Sequence, residues 1–257
     1  MPDEVTDIYS LSRPTGIGDR RKVNDAAALF EHLFPKLPRE AHILEIGPGH
    51  GYFARECGRR RLRYTGVEPS VELAAALRQE GISVVGKSVP PIEAGDESVD
   101  LVHSSDFVEH LPTYPDVERF FREAFRVLRP GGYMSVITPN YRTLKDLFFR
   151  YEYQHSFVTT RERLNKFLKD CGFRIVASRD FLFWLSPRLN VLDRVVAHVV
   201  VPLARNPILE FMIARMTSED VLFRIHKNVY DHVAVLARKP NTEGLRSSDT
   251  TKVYERN

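Results

Sequence analysis

The chain is poor in cysteine, with Cys57 and Cys171 as its only thiols in 257 residues. Neither has metal-binding or redox spacing, which excludes a disulfide framework or a cysteine-ligated metal site and leads us to expect reduced thiols and a cytoplasmic protein. Neither sign of charge dominates. Lys and Arg total 37 against 34 Asp and Glu, a formal net charge of +3. So small an excess argues against a nucleic-acid partner, and the basic run Arg59-Arg60-Arg61 reads as a solvated helix end whose cations complement the dipole. No apolar run approaches the roughly 20 residues that a membrane span requires. The start, Met1-Pro2-Asp3-Glu4, is acidic and has no apolar segment behind it, so no signal peptide is expected. There is no internal repeat, and a 43% hydrophobic content suits one sizeable core.

The most informative segment runs from Ile43 to Phe53: an apolar strand enters Gly47-Pro48-Gly49-His50-Gly51 and a helix follows. Such a turn lets backbone approach a ligand closely, and the helix start presents free N–H groups to it. A second strand, Tyr64 to Val67, ends in Glu68, about 20 residues past the glycines, where a carboxylate can accept hydrogen bonds from ribose hydroxyls. A nicotinamide fingerprint needs glycine at position 52, where the chain has Tyr52, and this argues against an NAD-dependent oxidoreductase. The string Gly81 to Ser88 matches the phosphate-loop pattern G-x-x-x-x-G-K-S. Its interior is largely β-branched and forms a strand itself, and Val89-Pro90-Pro91 blocks a following helix, so an ATPase or GTPase is not expected.

The spacing E-x-G-x-G-x-G resembles motif I of the class I S-adenosylmethionine-dependent methyltransferases, and the resemblance extends over about residues 41 to 180. Ser98 to His103 reads as a central strand, followed by Ser104 to Leu111, which looks like the family's segment lining the methyl-transfer site. Val117 to Leu128 is amphipathic and stops at Arg129-Pro130-Gly131-Gly132 before a strand at Tyr133 to Ile137. Thr138-Pro139-Asn140 comes next, as in ubiquinone-type O-methyltransferases. A helix is expected to begin at Thr159, with Glu162 completing a capping box, and Cys171-Gly172-Phe173 closes it into another strand. A last strand is expected at Tyr230 to Ala237. The resemblance implies a Rossmann-like α/β fold with a seven-stranded, mostly parallel sheet, helices on both faces and a helical insert before the last strand. It also implies S-adenosylmethionine as cofactor. Glu45, Gly47, Gly49 and Gly51 would hold its methionine part and Glu68 its ribose, with Asp106 also facing it. Many relatives carry an Asp after the third strand, Ile82 to Val85, to accept from the adenine amino group. This chain has Gly86-Lys87-Ser88 instead, leaving Ser88 or backbone groups for that role.

A polar tail over 1–19 is expected to precede a domain spanning 20–239, which begins with a helix from about Arg20 to Phe34, and a disordered tail is expected over 240–257. The apolar stretch at about 181–225 stands where relatives turn directly between their last two strands. It admits three readings: a helical lid over an apolar acceptor pocket, an interfacial helix pair giving peripheral membrane contact, or a dimer contact. Oligomeric state stays open.

Because a sulfonium methyl is already electrophilic, the protein has mainly to align a nucleophile and exclude water. A hydroxyl acceptor also needs a base, and His110 and His155 are the candidates. Asp106, Glu109 and His110 with His155 also resemble the E-x-x-E-H set and distant His that bind a divalent cation in small-RNA 2′-O-methyltransferases. Asp replaces Glu at the first position and the basic, aromatic RNA-binding additions are missing, so the expectation is no metal. The sequence thus leads to a methyltransferase acting on a hydroxyl of a small, lipid-like or glycan-type acceptor, with Asp106, Glu109, His110 and His155 facing that acceptor. The alternatives are a non-catalytic module of the same fold and the metal-assisted RNA enzyme.

Overall fold

The computed structural model describes residues 17–34, 37–144, 155–181 and 232–241, with the single positions 206 and 215. Most of the apolar stretch at about 181–225 and of both tails lies outside the described residues, and so do its lid, interfacial and dimer readings.

Strands and helices alternate as the periodicity predicts. The elements are α1 (Ile17–His32), β1 (His42–Ile46), α2 (Tyr52–Arg59), β2 (Arg63–Val67), α3 (Val71–Gln79), β3 (Val84–Val85) and β4 (Val99–Ser105). A 3-10 turn (Val108–His110), α4 (Tyr114–Val127), β5 (Leu128–Pro139), the short α5 (Tyr141–Leu144), α6 (Arg161–Asp170), β6 (Arg174–Phe181) and β7 (His232–Arg238) complete them. The strands form one seven-stranded sheet in the order β3-β2-β1-β4-β5-β7-β6, parallel except for β7. Strand order reverses between β1 and β4, so their C-terminal ends open a crevice where ligands of doubly wound sheets bind.

Each central strand is buried on both faces, as a sheet sandwiched between helix layers requires. Leu44, Val102, Val136 and Val235 pack with Phe120, Phe121 and Phe167 of α4 and α6, whereas Ile43, Leu101, Ile137 and Ala234 meet Ala26, Leu29 and Phe53 of α1 and α2. Burying one such aromatic contributes roughly 1.5–3 kcal/mol.

Several boundaries differ from the sequence reading. β5 begins at Leu128, so Arg129 to Gly132 lies within the strand, where a register irregularity against β4 absorbs the glycines. The helix expected to start at Thr159 has Thr160 as its N-cap: the Thr160 hydroxyl accepts from the Arg163 N–H at 3.3 Å, and Glu162 falls one place short of a capping box. The third strand contracts to Val84–Val85, with no helix after it, which disposes of the phosphate-loop pattern. In its place the chain from 86 to 98 is tied down by Arg126, whose guanidinium donates to the carbonyls of Ile92 and Ala94 and pairs with Asp96 at 2.6 Å. Arg60 is more than a solvated helix end. It pairs with the buried Glu56 at 2.8 Å and lies 4.6 Å from the Phe30 ring centroid, fastening α2 to α1. Among the described residues, no helix is long and apolar enough to cross a membrane.

Candidate active site

The turn after β1 is held from below by β2. The Gly47 N–H donates to the Val67 carbonyl at 2.9 Å, and the Gly49 N–H donates to Oε2 of Glu68 at 2.9 Å. The other oxygen of that carboxylate accepts from the Ser70 N–H at 3.0 Å. Glu68 is only 5% exposed, so burial pushes its carboxyl above the ordinary range, while the two backbone donors oppose the shift. Its orientation is therefore fixed beside the turn, and a carboxylate retains acceptor capacity beyond two bonds. Gly49 has φ +53°, and a Cβ built there meets nothing within 4 Å. The turn is thus bonded directly to the Glu68 carboxylate on one side and has open space at the Gly49 Cβ position.

Glu45 lies beneath the turn, 4% exposed, and accepts a hydrogen bond from the Tyr64 hydroxyl at 2.6 Å. Burial pushes its carboxyl up to about 8, against the opposing Tyr64 bond. The folded protein therefore holds a proton that the unfolded chain releases near pH 4.5. This contribution to stability is present below about pH 4.5 and is lost as pH rises through 8. Glu45→Gln keeps an acceptor for Tyr64 and has no charge to bury. It is expected to melt higher than wild type at pH 9 and at the wild-type midpoint at pH 5, in thermal denaturation followed by circular dichroism.

Next to this turn, the C-terminal ends of β4 and β5 carry the polar residues. The Phe107 ring packs beside Gly47, close enough that a Cβ on the glycine would lie 3.5 Å from Cδ2. Phe107 follows Asp106, whose backbone takes the left-handed conformation at φ +52° while its N–H donates to the Ile137 carbonyl at 2.9 Å. Aspartate tolerates this region better than most residues, and such strain gathers at functional sites. Asp106 contacts Lys22 of α1 at 3.5 Å and His232 of β7 at 3.0 Å. Burial alone would raise its carboxyl, but the neighbouring His232 imidazole and Lys22 ammonium outweigh it and hold the group well below the ordinary carboxylate range.

A second cluster joins three of the residues singled out in the sequence. Ligand atoms of Glu109, His110 and His155 all lie within 4.8 Å of one another, and the two imidazole centroids are 4.9 Å apart. The Thr138 hydroxyl donates to Oε2 of the buried Glu109 at 2.9 Å, and the Ser156 and Phe157 N–H groups donate to its carbonyl. This last pair of bonds draws the segment from 155 against the 3-10 turn and accounts for the approach of His155. Asp106 stands apart from that cluster, with Lys22 and His232. Ser88 is exposed in the connection after β3, and a Cβ built on Gly86, two residues before it, would lie 3.9 Å from the Glu68 backbone carbonyl, so the segment passes beside the end of β2.

Lys22 and His232 are the residues that sequence reasoning passed over. The one available signal was the last strand itself. An antiparallel strand starts where its parallel neighbours end, so a histidine at its beginning belongs to the ligand edge.

Comparison with known proteins adds the family. The pattern of the methyltransferase domain family matches residues 19–178. A protein of Mycobacterium sp. (strain JLS) called an uncharacterized methyltransferase is 36% identical over 115 residues, covering 42% of this chain and 44% of its own length. A ubiquinone biosynthesis O-methyltransferase of Rhizobium leguminosarum bv. trifolii is 34% identical over 109 residues, covering 40% of this chain and 42% of its own. The chain thus spans less than half the length of either relative. Among solved structures, the complex of the Haloferax volcanii Trm112 methyltransferase activator with a methyltransferase contains a chain similar at TM-score 0.64 and 17% identity, over 94% of this chain and 100% of that one. At that identity the likeness speaks for the fold alone.

Proposed function

Since the chain belongs to the class I S-adenosylmethionine-dependent methyltransferases, we propose that it transfers the methyl group of S-adenosylmethionine to a hydroxyl of a small, lipid-like or glycan-type acceptor. When bound, the cofactor supplies an electrophilic methyl on a sulfonium. Gly47, Gly49, Gly51 and Glu45 take its methionine side, Glu68 its ribose, and the segment with Ser88 its adenine. Asp106, Glu109, His110 and His155 face the acceptor. The observation that carries this reading is that the chain leaving β4 packs Phe107 on Gly47 of the glycine turn, with Asp106 just before it and the Glu109, His110 and His155 cluster just after. The similarity to a ubiquinone biosynthesis O-methyltransferase supports oxygen as the atom methylated.

One observation favours a second form of the same chemistry. The Glu109-His110-His155 cluster offers one carboxylate and two imidazoles within reach of one ion, a donor set suited to zinc or another divalent cation. A cation there would lower the acceptor's pKa and draw vicinal hydroxyls into place.

One experiment covers both. The protein is incubated with methyl-labelled S-adenosylmethionine and a panel of phenols, catechols and polyprenyl-linked alcohols, with and without EDTA. Transfer that falls at least tenfold in His110→Ala and His155→Ala, with S-adenosylhomocysteine binding kept, is the expected result. Loss on EDTA and recovery with zinc, magnesium or manganese would establish the metal-assisted form. Bound cofactor with no product from any acceptor would instead favour a non-catalytic module.

A further inference from the structure

His232 opens β7, and because β7 runs antiparallel to β5, this residue sits opposite Pro139 at the ligand edge of the sheet. Its side chain is 13% exposed, and its Nε2 approaches Oδ1 of Asp106 at 3.0 Å, off the alignment of a full hydrogen bond. The Lys22 ammonium lies 3.5 Å from the other oxygen of the same carboxylate. Asp106 in turn precedes Phe107, which packs on the glycine turn. An imidazole backed by a carboxylate therefore stands at the ligand edge of the sheet, with the residue after that carboxylate packed on the glycine turn, and base-plus-orienter is the arrangement a proton acceptor needs. Alignment that is loose without a substrate is common in such pairs.

Building on the methyltransferase reading above, we propose that His232 is the group that takes the proton of the acceptor hydroxyl, with Asp106 as its positioning residue and Lys22 fixing Asp106. With Nε2–H turned to the carboxylate, the neutral imidazole has its lone pair on Nδ1. That atom receives the hydroxyl proton as the acceptor oxygen bonds to the methyl carbon and the carbon–sulfur electron pair returns to sulfur, leaving S-adenosylhomocysteine. The positive charge lost at the sulfonium reappears on the imidazolium, where Asp106 balances it. The Lys22 ammonium, 3.5 Å from Oδ2, favours the ionised form of that carboxyl before the proton arrives. The pair His110 and His155 suits this task less well. With centroids 4.9 Å apart, a proton gained by either imidazole opposes charge on the other, which fits them better to orienting the acceptor or to holding a cation.

The test uses the full chain, methyl-labelled S-adenosylmethionine and the same panel of hydroxyl compounds, with calorimetric titration of S-adenosylhomocysteine alongside. His232→Ala is expected to lose about 100-fold or more in kcat, the contribution typical of a general base, with KM and cofactor affinity within threefold of wild type. Added imidazole should restore part of that rate, which a purely structural loss would not allow. Asp106→Asn should show the same split at a smaller loss. His232→Gln, closer in shape, should bind cofactor and stay inactive. A His232→Ala rate within threefold of wild type, or a lost rate that imidazole leaves unchanged, would overturn the proposal. So would a wild type that binds cofactor and methylates no hydroxyl compound, although the cofactor site would then stand. Absence of cofactor binding by wild type would remove the methyltransferase reading and this inference together.

Discussion

Gly51→Ala is expected to destabilise the protein by about 3 kcal/mol, lowering its melting midpoint by roughly 10 °C, whereas Gly49→Ala, two residues away, costs only about 1 kcal/mol yet binds S-adenosylhomocysteine at least tenfold more weakly. The two glycines share a positive φ, +74° at Gly51 and +53° at Gly49, so each alanine carries a similar backbone strain. They differ in what surrounds the new carbon. At Gly51 a Cβ runs into Cδ2 of Leu77, which is fully enclosed in the small core beneath α3 and can yield only by disturbing Ala74 and Val84. At Gly49 the same carbon meets only open space. One substitution is therefore felt in folding and the other in ligand binding. Differential scanning calorimetry and ligand titration on both variants separate the two. Equal losses of stability would mean that the space before Gly49 is smaller than described.

The second large effect is at Glu68. Removing its carboxylate leaves the buried Ser70 N–H without this acceptor, a loss of about 1–3 kcal/mol, frees the partly exposed Gly49 N–H at smaller cost, and also deletes the acceptor proposed for the ribose hydroxyls. Glu68→Ala should accordingly both melt lower and bind S-adenosylhomocysteine at least tenfold more weakly. Glu68→Gln retains one carbonyl acceptor and should recover stability ahead of affinity.

Much of this site was legible in the sequence because it is local. Gly47, Gly49 and Gly51 follow their strand directly, and Glu68 follows the next, so the turn and its carboxylate are specified within about 25 residues of chain. Glu109 and His110 were likewise visible as a pair. His155 required a long-range step, which the backbone bonds from Ser156 and Phe157 to the Glu109 carbonyl supply. His232 was out of reach. Only the pairing of β7 with β5, across a stretch of sequence without a recognisable pattern, brings it to Asp106. The boundary at Thr160 shows the same limit in miniature: two adjacent threonines offer alternative caps, and the choice is made by the Thr159 carbonyl, which accepts from the Tyr141 N–H and ties that residue into the loop. Glu45 was read as a ligand-facing acid, and its bond to Tyr64 under the turn gives it a supporting place as well.

The cofactor assignment is tested most directly by calorimetric titration of S-adenosylhomocysteine into the wild type and into Glu68→Ala that has been verified as folded by its melting transition. Micromolar binding to the wild type, weakened at least tenfold or about 1.4 kcal/mol in the variant, is the predicted result. Equal affinities would place the ribose away from Glu68 and contradict the site as drawn, and the absence of binding by the wild type would contradict the assignment of the cofactor itself.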